Sequence, residues 1–243
     1  MSKYKMIAFD MDGTLLNSQK KVRKETLDAI NKAFDGGKEV ILCTGRALAE
    51  LEEYIELIPR MRYMVMTSGA IVYDIKEKKD IYANEISVEI MDEILNYIKD
   101  KDIMPQMITK ESIVQKKDYE HMEDFHMGIY KPMFNEVAVK VENMLDFYND
   151  NKQPVAKLNL YHTSSEDREE TRKAIEGLDV VLANAETTSL EVSAKNTTKG
   201  LGLQKLCEHL GISIDETIAV GDADNDLDVL KRAGLSVAMG NAN

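Results

Sequence analysis

The sequence is poor in cysteine, in positive charge and in long apolar runs, and each shortage excludes a class of protein. Two cysteines, Cys43 and Cys207, are too few for a disulfide framework, and both lie in apolar patterns typical of small buried side chains. A formal net charge of -12 argues against binding to nucleic acid or to an anionic membrane surface. No apolar stretch is long enough to span a bilayer, and no signal peptide precedes the first strand pattern. We therefore expect a cytoplasmic protein.

Apolar runs alternate with helical patterns in the first third of the chain. The runs Met6–Phe9, Val40–Cys43 and Tyr63–Met66 are typical of strands that are buried on both faces of a sheet. Amphipathic helical spacing separates them, and a hairpin with a charged turn follows within residues 70–83. This rhythm predicts an α/β fold built on a doubly wound parallel sheet.

The rhythm changes near residue 84 and returns near the end of the chain. The middle third carries short alternating runs such as Met107–Val114, with helical patterns between them, which predicts an α+β domain. Two histidines there, His121 and His126, are better interpreted as solvated loop residues than as metal ligands. Thr217–Val220 is a further buried strand. We predict one core domain from residues 1–83 plus 188–243 and a second, inserted domain from residues 84–187.

Polar residues follow the predicted core strands, at the sheet edge where open α/β sheets bind ligands. Asp10 and Asp12 alone could simply end a strand, since aspartate is common in turns. The acids of the whole set repel one another unless they share a cation, and oxygen ligands of this kind suit Mg²⁺. The residues predicted to gather at this edge are Asp10, Asp12, Thr44, Lys199, Asp222, Asn225 and Asp226.

The same residue types suit chemistry on a phosphate group. Thr44 offers a hydroxyl and Lys199 a point charge, and the backbone N–H groups of Thr44-Gly45-Arg46 at a helix start form an anion site. A carboxylate beside a metal and a cation is a plausible nucleophile towards phosphorus, giving an aspartyl phosphate. A second carboxylate two residues on can protonate the leaving alcohol and later deprotonate water.

Four short motifs in this order resemble those of the haloacid dehalogenase (HAD) superfamily phosphatases of the Cof type. They are Asp10-Met11-Asp12-Gly13-Thr14, Thr44-Gly45-Arg46, Lys199-Gly200 and Gly221-Asp222-Ala223-Asp224-Asn225-Asp226. The resemblance implies a Rossmann-like core with an α+β cap domain inserted between the second and third motifs.

The resemblance also implies a role for each site residue. Asp10 would be the nucleophile and Asp12 the acid/base, and phosphate would be bound by Thr44, Gly45 and Lys199. Mg²⁺ would be held by the set Asp10, Asp12 through its carbonyl, Asp222, Asn225 and Asp226. Two departures from the family pattern are Val229, where methionine is usual, and the end of the sequence at Asn243, where relatives usually continue.

The function predicted from these residues is Mg²⁺-dependent hydrolysis of a phosphomonoester through an aspartyl phosphate. The predicted substrate is a small phosphorylated metabolite such as a sugar phosphate, and neither a nucleic acid nor a membrane is an expected partner. Two alternatives stay open: phosphoryl transfer of the phosphomutase type, and a non-catalytic module that binds a phosphometabolite. The presence of both Asp10 and Asp12 favours an enzyme over the non-catalytic module. The sequence predicts neither the physiological substrate nor the oligomeric state.

Overall fold

The computed structural model describes residues 3–185 and 187–242. The first 83 residues form alternating strands and helices as the sequence predicts. They are β1 (Met6–Phe9), α1 (Lys24–Asp35), β2 (Glu39–Cys43), α2 (Glu52–Leu57), β3 (Tyr63–Met66), β4 (Ile71–Asp74) and β5 (Lys79–Ala83). Within the described ranges, no helix has both the length and the apolar character needed to cross a membrane.

The middle of the chain contains more strands than the sequence pattern indicates. Its elements are α3 (Val88–Ile98), β6 (Ile103–Ile108), β7 (Ser112–Gln115), α4 (Lys116–Glu120), α5 (Lys131–Val137), β8 (Ala138–Val141), α6 (Met144–Asp150), β9 (Lys157–His162), α7 (Ser165–Ile175), β10 (Val180–Ala185) and β11 (Ser189–Ala194). The predicted single run Met107–Val114 is wrong: it spans the end of β6, a turn and the start of β7, and the turn is closed by a hydrogen bond from Thr109 N to Glu111 O.

The last part of the chain returns to the strand–helix rhythm of the first. Its elements are α8 (Lys199–Leu210), β12 (Thr217–Gly221), α9 (Leu227–Arg232) and β13 (Leu235–Ala238). Short 3-10 segments lie between the helices and strands of the chain, at Leu48–Glu50, Met122–Phe125, Gly128–Tyr130, Ile214–Glu216 and Asp224–Asp226.

The chain divides into two compact units, each built on its own sheet. Unit 1 comprises residues 1–46, 51–83 and 197–243, and unit 2 comprises residues 47–50 and 84–196. The chain returns to unit 1 at Thr197, nine residues later than the predicted boundary at 188. The reason is β11, which pairs with β9 and β10 in the sheet of unit 2.

Unit 1 is a seven-stranded sheet with the strand order β13-β12-β1-β2-β3-β4-β5. The five strands from β13 to β3 are parallel, and β4 and β5 extend the sheet as an antiparallel hairpin. Apolar side chains of these strands, such as Val65 and Ala219, pack against Leu203 and Leu206 of α8. The α/β fold with a mainly parallel, Rossmann-like sheet is therefore confirmed.

Unit 2 is a six-stranded sheet with the order β10-β11-β9-β6-β7-β8, antiparallel except for the β7–β8 pair. Its main core includes Met91 and Ile94 of α3, Tyr148 of α6 and Leu158 of β9. This is the α+β composition that the sequence predicts for the inserted part of the chain. Two of the histidines of this unit, His121 and His126, are exposed, as expected of solvated residues, whereas His162 of β9 is buried.

Candidate active site

The ends of β1 and β12 bring the first and last predicted acids together. The two strands are parallel neighbours with Phe9 opposite Val220, and the N–H of Asp10 donates to the carbonyl of Val220 at 2.9 Å. Gly13 then turns the chain with a φ of +87°, which only glycine adopts readily. A β-carbon at this position would lie 2.1 Å from Oδ2 of Asp222, so the turn and the close approach both require glycine.

Lys199 lies between two of the predicted acids. It is the first residue of α8, and its Nζ donates to Oδ1 of Asp10 at 2.6 Å and to Oδ1 of Asp226 at 2.7 Å. Only 1% of Lys199 is exposed. Burial alone would lower the pKa of this ammonium, but Asp10 and Asp226 outweigh burial and raise the pKa above its ordinary value. Lys199 is therefore a fixed positive charge.

Asp10 is a buried carboxylate whose proton affinity is increased. Burial raises the pKa of Asp10 to about 6, with the Lys199 ammonium opposing the shift and the Asp226 carboxylate adding to it. The cause is that taking a carboxylate out of water disfavours its charged form, and one lysine shared between two acids compensates only in part. A second positive charge near Asp10 would favour its ionised form.

Asp226 is fixed through both of its oxygens. While Oδ1 accepts from Lys199, Oδ2 accepts from the backbone N–H groups of Asp222 at 3.0 Å and Ala223 at 3.2 Å. The neighbouring Asn225 accepts a longer hydrogen bond from Lys199, at 3.4 Å. The loop after β12 is thereby wrapped around the Asp226 carboxylate, which sets the direction of Asp222.

Three carboxylates in this region are arranged as a cation site. Asp10, Asp222 and Asp226 each offer an oxygen, and these three atoms lie within 4.8 Å of one another. Asp222 is itself oriented by Thr14, whose hydroxyl donates to Oδ1 at 2.6 Å, and by the side-chain amide of Asn241, which donates to Oδ2 at 3.2 Å. Carboxylate oxygens are the ligands that Mg²⁺ takes in proteins, so the donor set fits a hard divalent cation. We call Asp10, Lys199, Asp222 and Asp226 the inner half of the site.

Asp12 has different neighbours from Asp10. Arg46 donates from Nε to Oδ2 at 2.9 Å and from Nη2 to Oδ1 at 2.8 Å, and Lys20 Nζ donates to Oδ1 at 2.7 Å. Burial would raise the pKa of Asp12, but the hydrogen bonds and charges of Arg46 and Lys20 outweigh it and lower the pKa to about 2. We call Asp12, Arg46 and Lys20 the outer half of the site.

The second motif joins the outer half through its backbone. The N–H of Arg46 donates to the hydroxyl of Thr44 at 3.2 Å, and Thr44 itself is buried at the end of β2. Gly45 lies between them and is partly exposed. The side chain of Arg46 also lies over the ring of Tyr54, 5.5 Å from its centroid, and the Tyr54 hydroxyl donates to the carbonyl of Lys20 at 3.0 Å.

The structure thus gathers the predicted residues within unit 1, and it adds others that the sequence analysis did not select. The direct contacts of Lys199 link Asp10, Asn225 and Asp226, and Arg46 links Asp12 to Thr44. The added residues are Thr14, Lys20, Arg46, Tyr54 and Asn241. Thr14 and Arg46 were inside the quoted motifs and could have been selected, but no sequence pattern points to Lys20, Tyr54 or Asn241.

A sequence profile of the haloacid dehalogenase-like hydrolases matches residues 7–243. The chain belongs to this family. Phosphatase YwpJ of Bacillus subtilis (strain 168) is 26% identical over 98% of this chain and 90% of its own length. A second relative from that organism, 5-amino-6-(5-phospho-D-ribitylamino)uracil phosphatase YcsE, is 29% identical over 98% of this chain and 84% of its own length.

A solved structure of a sugar phosphatase of HAD subclass IIB has the same fold. It aligns with a TM-score of 0.78 at 23% identity, over 98% of this chain and 88% of that chain. The predicted family and the enzyme class, a HAD-type phosphatase, are therefore confirmed.

Proposed function

We propose that this HAD-type phosphatase is a Mg²⁺-dependent phosphomonoester hydrolase that forms an aspartyl phosphate on Asp10. The observation that carries the proposal is the setting of Asp10: a buried carboxylate 2.6 Å from the ammonium of Lys199, in a cluster with Asp222 and Asp226. A carboxylate held rigidly beside fixed positive charge is a suitable nucleophile for an electron-poor phosphorus atom.

Asp10, Asp222 and Asp226 would hold the metal ion, with Asn225 and the main-chain carbonyl of Asp12 as the further ligands that the family resemblance implies. When bound, Mg²⁺ supplies positive charge that offsets the negative charge of the phosphoryl oxygens. Lys199 would hold another phosphoryl oxygen, and the Thr44 hydroxyl and Gly45 N–H would donate hydrogen bonds to the same group.

The proposed reaction has two steps that use the protein's own carboxylates. In the first, an oxygen of Asp10 attacks phosphorus, the bond from phosphorus to the substrate oxygen breaks, and that oxygen takes a proton from Asp12. In the second, Asp12 removes a proton from water, the water oxygen attacks phosphorus, and Asp10 leaves as a carboxylate. The first step needs a proton donor for the leaving oxygen, and the second needs a proton acceptor for the attacking water. Asp12 can serve as both, because it has lost its proton by the time the second step begins.

The contacts of Asp12 indicate what must change for this role. Both of its oxygens accept hydrogen bonds from Arg46 and Lys20, and its pKa is lowered to about 2. Asp12 therefore has to exchange at least one of these partners before it can carry a proton. An incoming phosphate ester is anionic and competes for the same two cations, so substrate binding itself would release Asp12.

We propose a small phosphorylated metabolite, a sugar phosphate or a related compound, as the substrate. The support is the activity of the relatives: YcsE is named for hydrolysis of a phosphorylated ribityl compound, and a structural neighbour is a sugar phosphatase. The chain's net charge of -12 favours a small ligand over a polyanion. The cytoplasmic location stays a prediction.

The proposal is tested by hydrolysis of p-nitrophenyl phosphate with Mg²⁺, and with EDTA in its place. We expect turnover that depends on the metal and that returns when Mg²⁺ is restored. Brief reaction followed by acid quenching is expected to trap a phosphoryl group on Asp10, identified by peptide mass. Absence of metal-dependent turnover in the folded protein would contradict the proposal. A panel of sugar phosphates and phosphorylated ribityl compounds then ranks the substrates by kcat/KM.

A further inference from the structure

The turn after β3 has an unusual backbone conformation. Thr67, Ser68 and Gly69 are consecutive, and their φ angles are +48°, +58° and +99°. Left-handed conformation is uncommon for residues other than glycine and rarest for β-branched ones such as threonine. Strain of this kind persists only where the surroundings hold the backbone in place, and it concentrates at functional sites.

The first two residues of this turn are bonded to the second motif. The N–H of Thr67 donates to the carbonyl of Arg46 at 3.1 Å, and the N–H of Ser68 donates to the carbonyl of Thr44 at 3.0 Å. Two consecutive N–H groups can point at two carbonyls of the neighbouring loop only because the turn is left-handed here. The turn therefore fixes the backbone on both sides of Gly45.

The third residue of the turn lies against the third motif. A β-carbon on Gly69 would lie 2.0 Å from the carbonyl oxygen of Thr198 and 2.8 Å from the nitrogen of Lys199. One helical turn further on, a β-carbon on Gly202 would lie 3.1 Å from the α-carbon of Gly69. The backbone of the turn and the first turn of α8 are thus in direct contact, with no side chain between them.

The hydroxyl of Thr67 shows that this conformation is costly. The side chain is fully buried, and its Oγ1 has no hydrogen-bond partner among the described residues. An unpaired buried hydroxyl costs about 1–3 kcal/mol, in addition to the backbone strain. The unpaired hydroxyl and the backbone strain are both unfavourable, and no contact within the turn offsets them. We therefore look to the contacts that the turn makes with the second and third motifs for the reason that this conformation is kept.

We propose that Thr67–Gly69 is a positioning element of the phosphate site, outside the four motifs, which sets Lys199 and Thr44 at a fixed separation. Thr44 follows β2 and Lys199 begins α8, more than 150 residues apart in the chain. The turn touches the backbone of both, and its glycine determines how closely α8 approaches the sheet edge. This inference shares one assumption with the proposed function, namely that Thr44 and Lys199 are the groups that hold phosphate.

The test is Gly69→Ala, measured as competitive inhibition by inorganic phosphate in the presence of Mg²⁺. The methyl group cannot be accommodated without moving the backbone of Thr198 and Lys199, so the Lys199 ammonium is displaced from the phosphate. We expect the inhibition constant for phosphate and the KM for p-nitrophenyl phosphate to rise about 10- to 100-fold, as for loss of one charge-assisted hydrogen bond.

The matched control is Gly37→Ala. Gly37 has a similar φ of +72°, but a β-carbon there would have no neighbour within 4 Å. This variant measures the cost of a left-handed alanine alone, and we expect a lower melting temperature with an unchanged inhibition constant. If Gly69→Ala also lowers only the melting temperature, the turn has a purely structural role and the proposal is overturned.

Gly202→Ala provides a second route if Gly69→Ala does not fold. Alanine favours the interior of α8, so this variant is expected to fold, while its methyl group presses on Gly69 and on Val65. Weaker binding of phosphate at near-normal stability supports the proposal, and unchanged binding contradicts it.

A crystal structure of either variant gives a result that does not depend on activity. The distance from Lys199 Nζ to Asp10 Oδ1 is 2.6 Å in the natural sequence, and we expect it to lengthen beyond hydrogen-bond distance. If the contact is retained, the positioning role is refuted even if the natural protein proves to hydrolyse phosphate esters. If the contact is lost but the natural protein is inactive, the proposed function fails and the positioning role stands.

Discussion

The inner and outer halves of the site have opposite imbalances of charge. In the inner half, three carboxylates lie close together, and the one ammonium, that of Lys199, contacts two of them. In the outer half, two cations, Arg46 and Lys20, converge on the single carboxylate of Asp12. The inner half therefore has a surplus of negative charge, and the outer half a surplus of positive charge.

The difference shows what each half is suited to receive. A surplus of buried carboxylates is relieved by a metal ion, and a surplus of cations is relieved by an anion such as a phosphate ester. The effect appears in the pKa values of two acids that are only two residues apart, about 6 for Asp10 and about 2 for Asp12. Substitutions that act on one half of the site, and changes of pH, test whether the halves differ in this way.

The largest effect is expected from Asp10→Asn. The amide keeps the shape of the side chain but cannot act as the nucleophile, so Mg²⁺-dependent hydrolysis of p-nitrophenyl phosphate is expected to fall at least about a thousand-fold. The fold is expected to persist, which circular dichroism checks. A variant that retains a tenth of the natural rate would show that the inner half does not supply the nucleophile.

Lys199→Met is expected to have the next largest effect. It leaves Asp10 and Asp226 buried without their cation, which costs about 3–5 kcal/mol of stability, and it removes a phosphate contact, which costs about 100- to 1,000-fold in kcat/KM. The control is Lys205→Met on the same helix, where the lysine is paired with Glu208 at the surface. Equal effects of the two substitutions on unfolding by urea would mean that the inner half does not depend on Lys199.

The pH dependence of stability separates Asp10 from Asp12 directly. Because the pKa of Asp10 is about 6 in the folded protein and 3.8 unfolded, the folded state binds more protons between these values. Stability is therefore lost as the pH rises from about 4 to 6, by about 3 kcal/mol. The measurement is urea unfolding of the natural protein and of Asp10→Asn at several pH values, with EDTA to remove metal. The difference between their free energies of unfolding is expected to change with pH by this amount.

The Asp12→Asn variant is the matched control for that experiment. The pKa of Asp12 is lowered to about 2, so its contribution to stability is complete above pH 4 and is lost only as the pH falls below that value. The difference between the natural protein and Asp12→Asn is accordingly expected to stay constant between pH 4 and 7. A slope for Asp12 and none for Asp10 would reverse the assignment of the two environments.

The smallest effect is expected from Lys20→Met in the outer half. With Arg46 as the partner that Asp12 gives up to the phosphate ester, Lys20 is left to orient Asp12 towards the leaving oxygen. Without Lys20 we expect kcat/KM for an alkyl phosphate to fall about tenfold. Hydrolysis of p-nitrophenyl phosphate is expected to change little, because p-nitrophenolate leaves without a proton. Lys20→Arg is expected to restore the rate, and Lys21→Met is the neighbouring control. Equal losses on both substrates would indicate a role for Lys20 other than orienting Asp12.

The inner half was predictable from the sequence for a physical reason. Each of its acids follows an apolar run that is long enough to be a buried strand, and parallel strands end at the same edge. Lys199 follows Thr198, a good N-cap, at the start of an evident helix. Local sequence thus determines where these residues lie.

The outer half and the turn after β3 could not be predicted in the same way. Lys20 reaches Asp12 from a loop that is held by Asn17, which accepts from the N–H groups of Gln19 and Lys21. Nothing local distinguishes it from Lys21. The left-handed conformation of Thr67 is likewise imposed by its tertiary contacts, against the intrinsic preference of threonine.

The strand differences in unit 2 have two separate causes. The run Met107–Val114 is interrupted by the consecutive polar residues Thr109, Lys110 and Glu111, which form the turn between β6 and β7, so this break is visible in the sequence. Ser189–Ala194 alternates just as a strand of either sheet would, and only its pairing with β9 assigns it to unit 2.

The parallel pairing of β1 with β12 has a consequence for how the protein is made. Met6 lies opposite Thr217, so β1 leaves the ribosome more than 200 residues before this neighbouring strand exists. Pairings this distant in sequence form late, because closing so long a loop is entropically costly. Asp10 and Asp12 are synthesised more than 180 residues before Lys199 and Asp222. The site therefore cannot be assembled on a nascent chain until β12 and the loop that follows it have been synthesised.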